Sequence, residues 1–149
     1  MTEPEPMLFG AEHVRQYEES DGEVGFLRHG APILILTITG RKTGRPRKVP
    51  LIFQEHEGRY VVVASNGGAA DHPDWYTDLQ ADPEVRVQVK ADRFAARART
   101  ATGEEREKLW RTMAAVFAIY DEYRRTTERE IPVVVLEPVE PVEPVEPQP

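Results

Sequence analysis

Apolar and polar positions alternate in short blocks along this chain, and most blocks have the period of strands. Ile33-Leu34-Ile35-Leu36-Thr37-Ile38-Thr39 is a β-branched apolar run bounded by Pro32 and Gly40, which predicts a buried strand. Lys48 to Gln54 predicts a second strand, Glu55-His56-Glu57-Gly58 a hairpin turn, and Arg59 to Ser65 a third strand. Val85, Val87 and Val89 alternate with Arg86, Gln88 and Lys90, so that strand has one wet face. Arg93 to Thr100 pairs with it through Ala91-Asp92, and Ile131 to Leu136 is a last strand entered through Pro132.

Fewer segments have helical spacing. Residues 11–19 suit a short polar helix. Pro73 fits a first-turn position, with Trp75 and Leu79 as an i,i+4 apolar pair before Asp82-Pro83. A longer helix is predicted from Gly103 to Arg124, with Thr102 as its cap and Leu109, Met113, Val116, Phe117 and Tyr120 as its apolar stripe. About six hairpin-linked strands with a few flanking helices predict a mainly β (α+β) chain, a small antiparallel barrel and not a doubly wound parallel sheet.

Composition narrows the chemistry. The 149 residues include no cysteine, which excludes a disulfide framework, a thiolate metal site and a cysteine nucleophile. The four histidines, His13, His29, His56 and His72, show no HxH or HExxH spacing, so no metal site is predicted. No apolar run approaches the ~20 residues of a membrane span, and the acidic start Met1 to Pro6 is not a signal peptide. The expected location is therefore the cytoplasm, with room for peripheral membrane contact.

The net charge of −7 is unevenly distributed. Residues 1–24, an acidic segment with the short helix, hold seven acids against one base. Residues 137–149 hold four glutamates in a Pro-Val-Glu repeat. Proline at every third position matches polyproline II, and this tail has too little apolar surface to fold alone. Residues 25–136, the expected folded domain, carry 18 bases against 15 acids. Five of those bases, Arg41, Lys42, Arg45, Arg47 and Lys48, fall within eight residues.

Three segments are candidates for chemistry. The basic turn Thr39 to Arg47, with Gly40 and Gly44, is either an anion site built from arginine forks or a solvated hairpin turn. It is not a Walker loop, because no GK[ST] follows Gly44. The acidic ends and the lack of a basic helix oppose nucleic-acid binding. Ala64-Ser65-Asn66-Gly67-Gly68-Ala69-Ala70-Asp71-His72-Pro73 leads from a strand into a helix start, which would expose backbone donors to a flat ligand or phosphate. Read alone it is also an ordinary glycine-rich loop. Phe117, Tyr120 and Tyr123 share roughly one helix face. Such a stripe is usually core, but a tyrosine hydroxyl lining a pocket can donate a proton. Ser65 has no GxSxG elbow and is not a triad nucleophile.

TGRKTGRPRKVPL, VVVASNGGAADHPDWYTDLQADPEVRVQV and YDEYRRTTEREIPVVVLEP together resemble the deazaflavin-dependent nitroreductase family, actinobacterial split β-barrel oxidoreductases that use coenzyme F-420. The resemblance covers about residues 30 to 138. It implies hydride transfer from reduced deazaflavin to a quinone, an activated alkene such as an enone, or a nitroaromatic. It implies that Arg41, Lys42 and Arg47 with Asn66, Gly67, Gly68 and Ala69 hold the cofactor's phosphate and acidic tail. Val63, Ala64 and Ser65 would lie along the ring, and Trp75 and Tyr76 would support the loop. Tyr120 would be the proton donor, assisted by the Ser65 hydroxyl. Ile52, Phe117, Tyr120 and Tyr123 would form the acceptor wall. Asn66 stands where a lysine is common, and Ile52 and Phe117 where tyrosines occur, so nitroimidazole reduction is not predicted. A barrel binding flavin mononucleotide (FMN) and a non-catalytic deazaflavin carrier are the alternatives. Oligomeric state is not readable.

Overall fold

The long apolar run is strand β2 (Ala31–Thr39), and the sheet is built around it. A computed structural model describes residues 10–139; the acidic start before Gly10 and the expected tail from Glu140 onward lie outside the described residues. A short β1 (Leu27–Arg28) precedes β2. After it come β3 (Pro46–Ile52), β4 (Gln54–His56), β5 (Arg59–Val63), β6 (Glu84–Val89), β7 (Asp92–Thr100) and β8 (Val133–Pro138). All pairings are antiparallel. The order is β1-β2-β6-β7-β8-β5-β4, with β3 on β2 off that path. Four helices flank this curled, open barrel: α1 (Gly10–Glu19), α2 (Asp74–Ala81), α3 (Gly103–Val116) and α4 (Ile119–Thr126). This is the split-barrel architecture expected from the sequence.

The continuous apolar runs are explained by burial on both faces of the sheet. Ile33 and Ile35 of β2 join Val61, Val63, Val133 and Val135 in one core, closed by Tyr17, Leu109 and Met113 from the helices. Leu34, Leu36 and Ile38 join Val62, Val134 and Leu136 in the other, closed by Trp75 and Leu79. Strands with period-two side chains thus supply both cores at once.

Eight strands replace the predicted six among the described residues. The predicted Lys48–Gln54 strand is two strands broken at Phe53, whose ring is buried and whose amide turns to donate to the Pro32 carbonyl at 3.0 Å. β1 is a two-residue hairpin arm joined to β2 through His29 and Gly30, both left-handed (φ 51° and 78°), the backbone of a type I′ turn. The predicted single helix from Gly103 to Arg124 is also two helices. It breaks at Phe117 (φ −139°, ψ 89°), with no glycine or proline there. The break lets the Trp110 indole donate to Asp121 at 2.8 Å and sets Phe117 edge-on to Tyr120. Pro73 is the N-cap of α2 and not its first-turn residue. Thr102 caps α3 in position, but its side chain makes no capping hydrogen bond. β8 runs to Pro138, so the expected tail at Glu137 begins inside the sheet.

Helix α1 is anchored by two buried polar groups. The Tyr17 hydroxyl donates to the Ile33 carbonyl at 2.9 Å and accepts from the Lys90 amide at 2.7 Å. His13 donates from Nε2 to the Gly25 carbonyl (2.6 Å) and accepts at Nδ1 from Arg28 (2.9 Å). Arginine has only donors, which fixes that tautomer.

Candidate active site

β3 and β5 diverge on one side of the barrel, and the gap between them is a cavity of about 460 Å³. Pro50, Ile52, Val63 and Trp75 give it apolar walls. Ser65, Asn66 and Gly67 form its polar end, and Phe117, Tyr120 and Tyr123 close it from the α3–α4 break. The break supplies this third wall, since it turns Tyr120 and Tyr123 onto α4. Arg28 and His29 reach it from the β1–β2 turn, where the His29 ring stacks on Phe117 at 5.7 Å.

Tyr120 is 5% exposed, and among the described residues its hydroxyl has no hydrogen-bond partner. The Tyr120 ring belongs to the core cluster with Leu109, Trp110 and Met113, and the residue also lines the cavity. Burial, followed by the neighbouring Tyr123, raises its pKa, so the phenol keeps its proton throughout the neutral range. The Ser65 hydroxyl is likewise without a partner among the described residues. Tyr76 is buried on the far side of the loop: its hydroxyl meets Thr100 Oγ1 at 2.7 Å and its ring meets His72. Ala64 is fully buried and donates its amide to the Pro132 carbonyl, so of the predicted strand Val63-Ala64-Ser65 it alone turns away from the cavity.

The glycines of the loop do different work. Gly67 is left-handed (φ 63°) with open space where a side chain would begin. Gly68 is also left-handed, but a Cβ there would lie 3.0 Å from the Tyr123 ring. Its small size therefore admits a tyrosine and not a ligand. Asn66 lines the cavity and ties the loop by donating to the Asp71 carbonyl at 3.0 Å. Ala69 does not line the cavity; its carbonyl accepts from Arg129.

The basic turn opens on a second, smaller cleft of about 250 Å³ lined by Arg41, Lys42, Thr43, Arg47, Asp74 and Asp78. The two clefts lie on either side of the α2 start, where Pro73 and Trp75 face one and Asp74 and Asp78 the other. Sequence reasoning missed Asp78, which sits 37 residues from its partner. Its carboxylate is 1% exposed and accepts from the Arg41 amide (3.1 Å) and guanidinium (2.6 Å), with Arg47 at 3.5 Å. Arg41 is thus held by the protein, whereas Lys42 and Arg45 are exposed and form no ion pair among the described residues, and of these two Lys42 lines the cleft.

Burial opposes the charge on Asp78, yet the Arg41 amide and guanidinium, with Arg47, outweigh it and hold the carboxyl below its ordinary value. A carboxyl lowered in the folded state stabilises the fold above its unfolded value and loses that contribution as pH falls through the folded one. We expect the melting temperature to fall more steeply below about pH 4 in the native chain than in Asp78→Asn. Equal slopes in a thermal melt series would show that Asp78 contributes nothing to acid sensitivity.

Residues 10–138 match the family model described as F420H(2)-dependent quinone reductase. The chain belongs to that family. The F420H(2)-dependent quinone reductase Rv1261c of Mycobacterium tuberculosis is 36% identical over 128 residues, covering 83% of this chain and 86% of that protein. The solved F420-H2 dependent reductase FDR-A is 42% identical with a TM-score of 0.67, covering 71% of this chain and 94% of that one. A structure described as a domain-swapped dimer is 39% identical with a TM-score of 0.69, over 83% and 96% of the two chains. Membership makes this quinone reductase-family chain an oxidoreductase, as the three sequence blocks implied. No helix among the described residues is long and apolar enough to cross a membrane.

Proposed function

We propose that this chain transfers a hydride from reduced coenzyme F-420 to a quinone in the cavity between β3, β5 and α4. The observation that carries the reading is Tyr120, whose hydroxyl forms no hydrogen bond among the described residues, lining a cavity with apolar walls and a polar loop end where Gly67 is open and left-handed. The residues fit such a group: a flat ring suits the apolar walls, and an anionic extension suits the basic cleft across the α2 start. When bound, the deazaflavin supplies hydride from its ring carbon.

The chain's own residues do the rest. Pro50, Val63 and Trp75 exclude water from the ring's position. Ser65, Asn66 and Gly67 present polar groups to its edge. Lys42 and Arg47 attract the acidic tail, and Arg41 holds the turn in place through Asp78. Tyr120 holds a proton where an anion forms on the acceptor, and the Ser65 hydroxyl offers a second donor. Ile52, Phe117 and Tyr123 bound the acceptor, and this wall sets the choice among quinones, enones and nitroaromatics.

The test is fluorescence titration with coenzyme F-420 and with FMN, then anaerobic oxidation of reduced F-420 by a quinone, an enone and a nitroaromatic. Tight F-420 binding with fastest turnover on the quinone is expected. Preference for FMN would overturn the cofactor assignment, and binding without turnover would make the chain a carrier. Because Arg41 also supports the fold, Lys42→Ala is the cleaner probe of the cationic cleft. It should weaken F-420 binding by about 1.5 kcal/mol, roughly tenfold, and the loss should shrink at high salt.

A further inference from the structure

Arg129 sits in the connection between α4 and β8, within a charged stretch that reads as solvated surface. In the structure it is half-buried, and its guanidinium is turned back under the loop that ends β5. Nε donates to the Ala69 carbonyl at 2.8 Å, Nη2 to the Ser65 carbonyl at 2.6 Å and Nη1 to the Ala64 carbonyl at 3.3 Å. Nη1 also meets His72 Nδ1 at 2.9 Å, and since arginine only donates, the imidazole accepts there and carries its proton on Nε2. No carboxylate forms an ion pair with Arg129 among the described residues.

We propose that Arg129 is a positioning residue, the brace that fixes the loop from Ala64 to His72 in its cofactor-receiving shape before the cofactor arrives. This deepens the proposed reading and rests on it. All three nitrogens of one planar group are used, and they span carbonyls five residues apart. The loop's own ties are two backbone bonds within its 3-10 turn and the Asn66 side chain. Without the brace, the left-handed residues Asn66, Gly67 and Gly68 have other conformations open to them. Ordering them on binding would then cost affinity. Bracing depends on the fork and not only on charge, so lysine cannot replace it.

Full-length Arg129→Lys and Arg129→Ala test this by three measurements. Amide hydrogen exchange on cofactor-free protein should speed up at residues 65–72 in both variants and stay unchanged in β2 and β6. Titration should show F-420 binding weakened at least tenfold in both, and KM for reduced F-420 should rise in parallel. At saturating cofactor, kcat with a quinone should stay within threefold. Methylguanidinium, but not methylammonium at equal ionic strength, should restore binding to Arg129→Ala. Normal affinity in Arg129→Lys would overturn the proposal, leaving only a charge effect. Exchange rising through the whole sheet, or failure of both variants to fold, would also overturn it and make Arg129 a residue of global stability. If the native chain itself does not bind F-420, the cofactor reading fails, and unchanged loop exchange would separately reject the brace.

Discussion

Replacing Tyr120 by phenylalanine should slow quinone reduction roughly 100-fold or more, the loss expected when a general acid is removed, while leaving the melting temperature in place. Both halves follow from one observation. The hydroxyl lines the cavity and has no partner among the described residues, so its removal breaks no hydrogen bond of the fold. The ring contacts with Phe117 (5.0 Å between centroids) and Trp110 (6.3 Å) remain. F-420 affinity, read by fluorescence titration, should be nearly unchanged. A normal turnover number accompanied by a lower melting temperature would assign the hydroxyl to the core and leave water as the proton source.

Arg41→Ala should be the most destabilising change in the basic turn, by about 3 kcal/mol, because it leaves a buried carboxylate without its main cation. For a chain of this length that is a fall of roughly 6–12 °C in melting temperature. Arg47 stays 3.5 Å from the same carboxylate and softens the loss. Adding Asp78→Asn to Arg41→Ala should recover part of the stability, since the uncompensated charge is then gone. A melting temperature within a degree of the native chain would show that the pair does not hold the α2 start to the β2–β3 turn. The weakened cofactor binding expected of Arg41 from the sequence alone would then be a direct contact.

Most of the barrel was legible because its strands carry long-range information locally. A run such as Ile33 to Thr39 is apolar on both faces only because both faces are covered. The Val85–Val89 alternation predicts one wet side, and only part of it is wet: Arg86 is exposed, but Gln88 is buried and donates its amide to the Lys90 carbonyl. The features that escaped are those whose cause lies far along the chain. The helix break at Phe117 has no local breaker and goes with distant contacts, the stacking of Phe117 on His29 and the hydrogen bond from Trp110 to Asp121. Asp78 reads as an ordinary surface acid of α2 until Arg41 is brought beside it. Arg129 stands in a stretch of charges, and nothing local marks which one turns inward. In the candidate site, the types and order of Ser65, Gly67, Tyr120 and Tyr123 were readable. The split of the glycines was not: Gly68 makes room for Tyr123, and that contact joins residues more than fifty apart.

The position of β8 bears on how the molecule is made. It is hydrogen-bonded on both sides, to β7 and to β5, yet it follows β7 only after more than thirty residues. Until Val133 to Pro138 has left the ribosome, β5 and β7 each keep one edge unpaired, β5 with its run Val61-Val62-Val63 and β7 with Ala96 and Ala98 uncovered, a state that invites pairing with another chain. Closure of the barrel therefore waits on a late, non-local event, which slows folding. A ribosome-stalled chain ending before Val133 should be digested readily by protease, and one with β8 fully emerged should resist it.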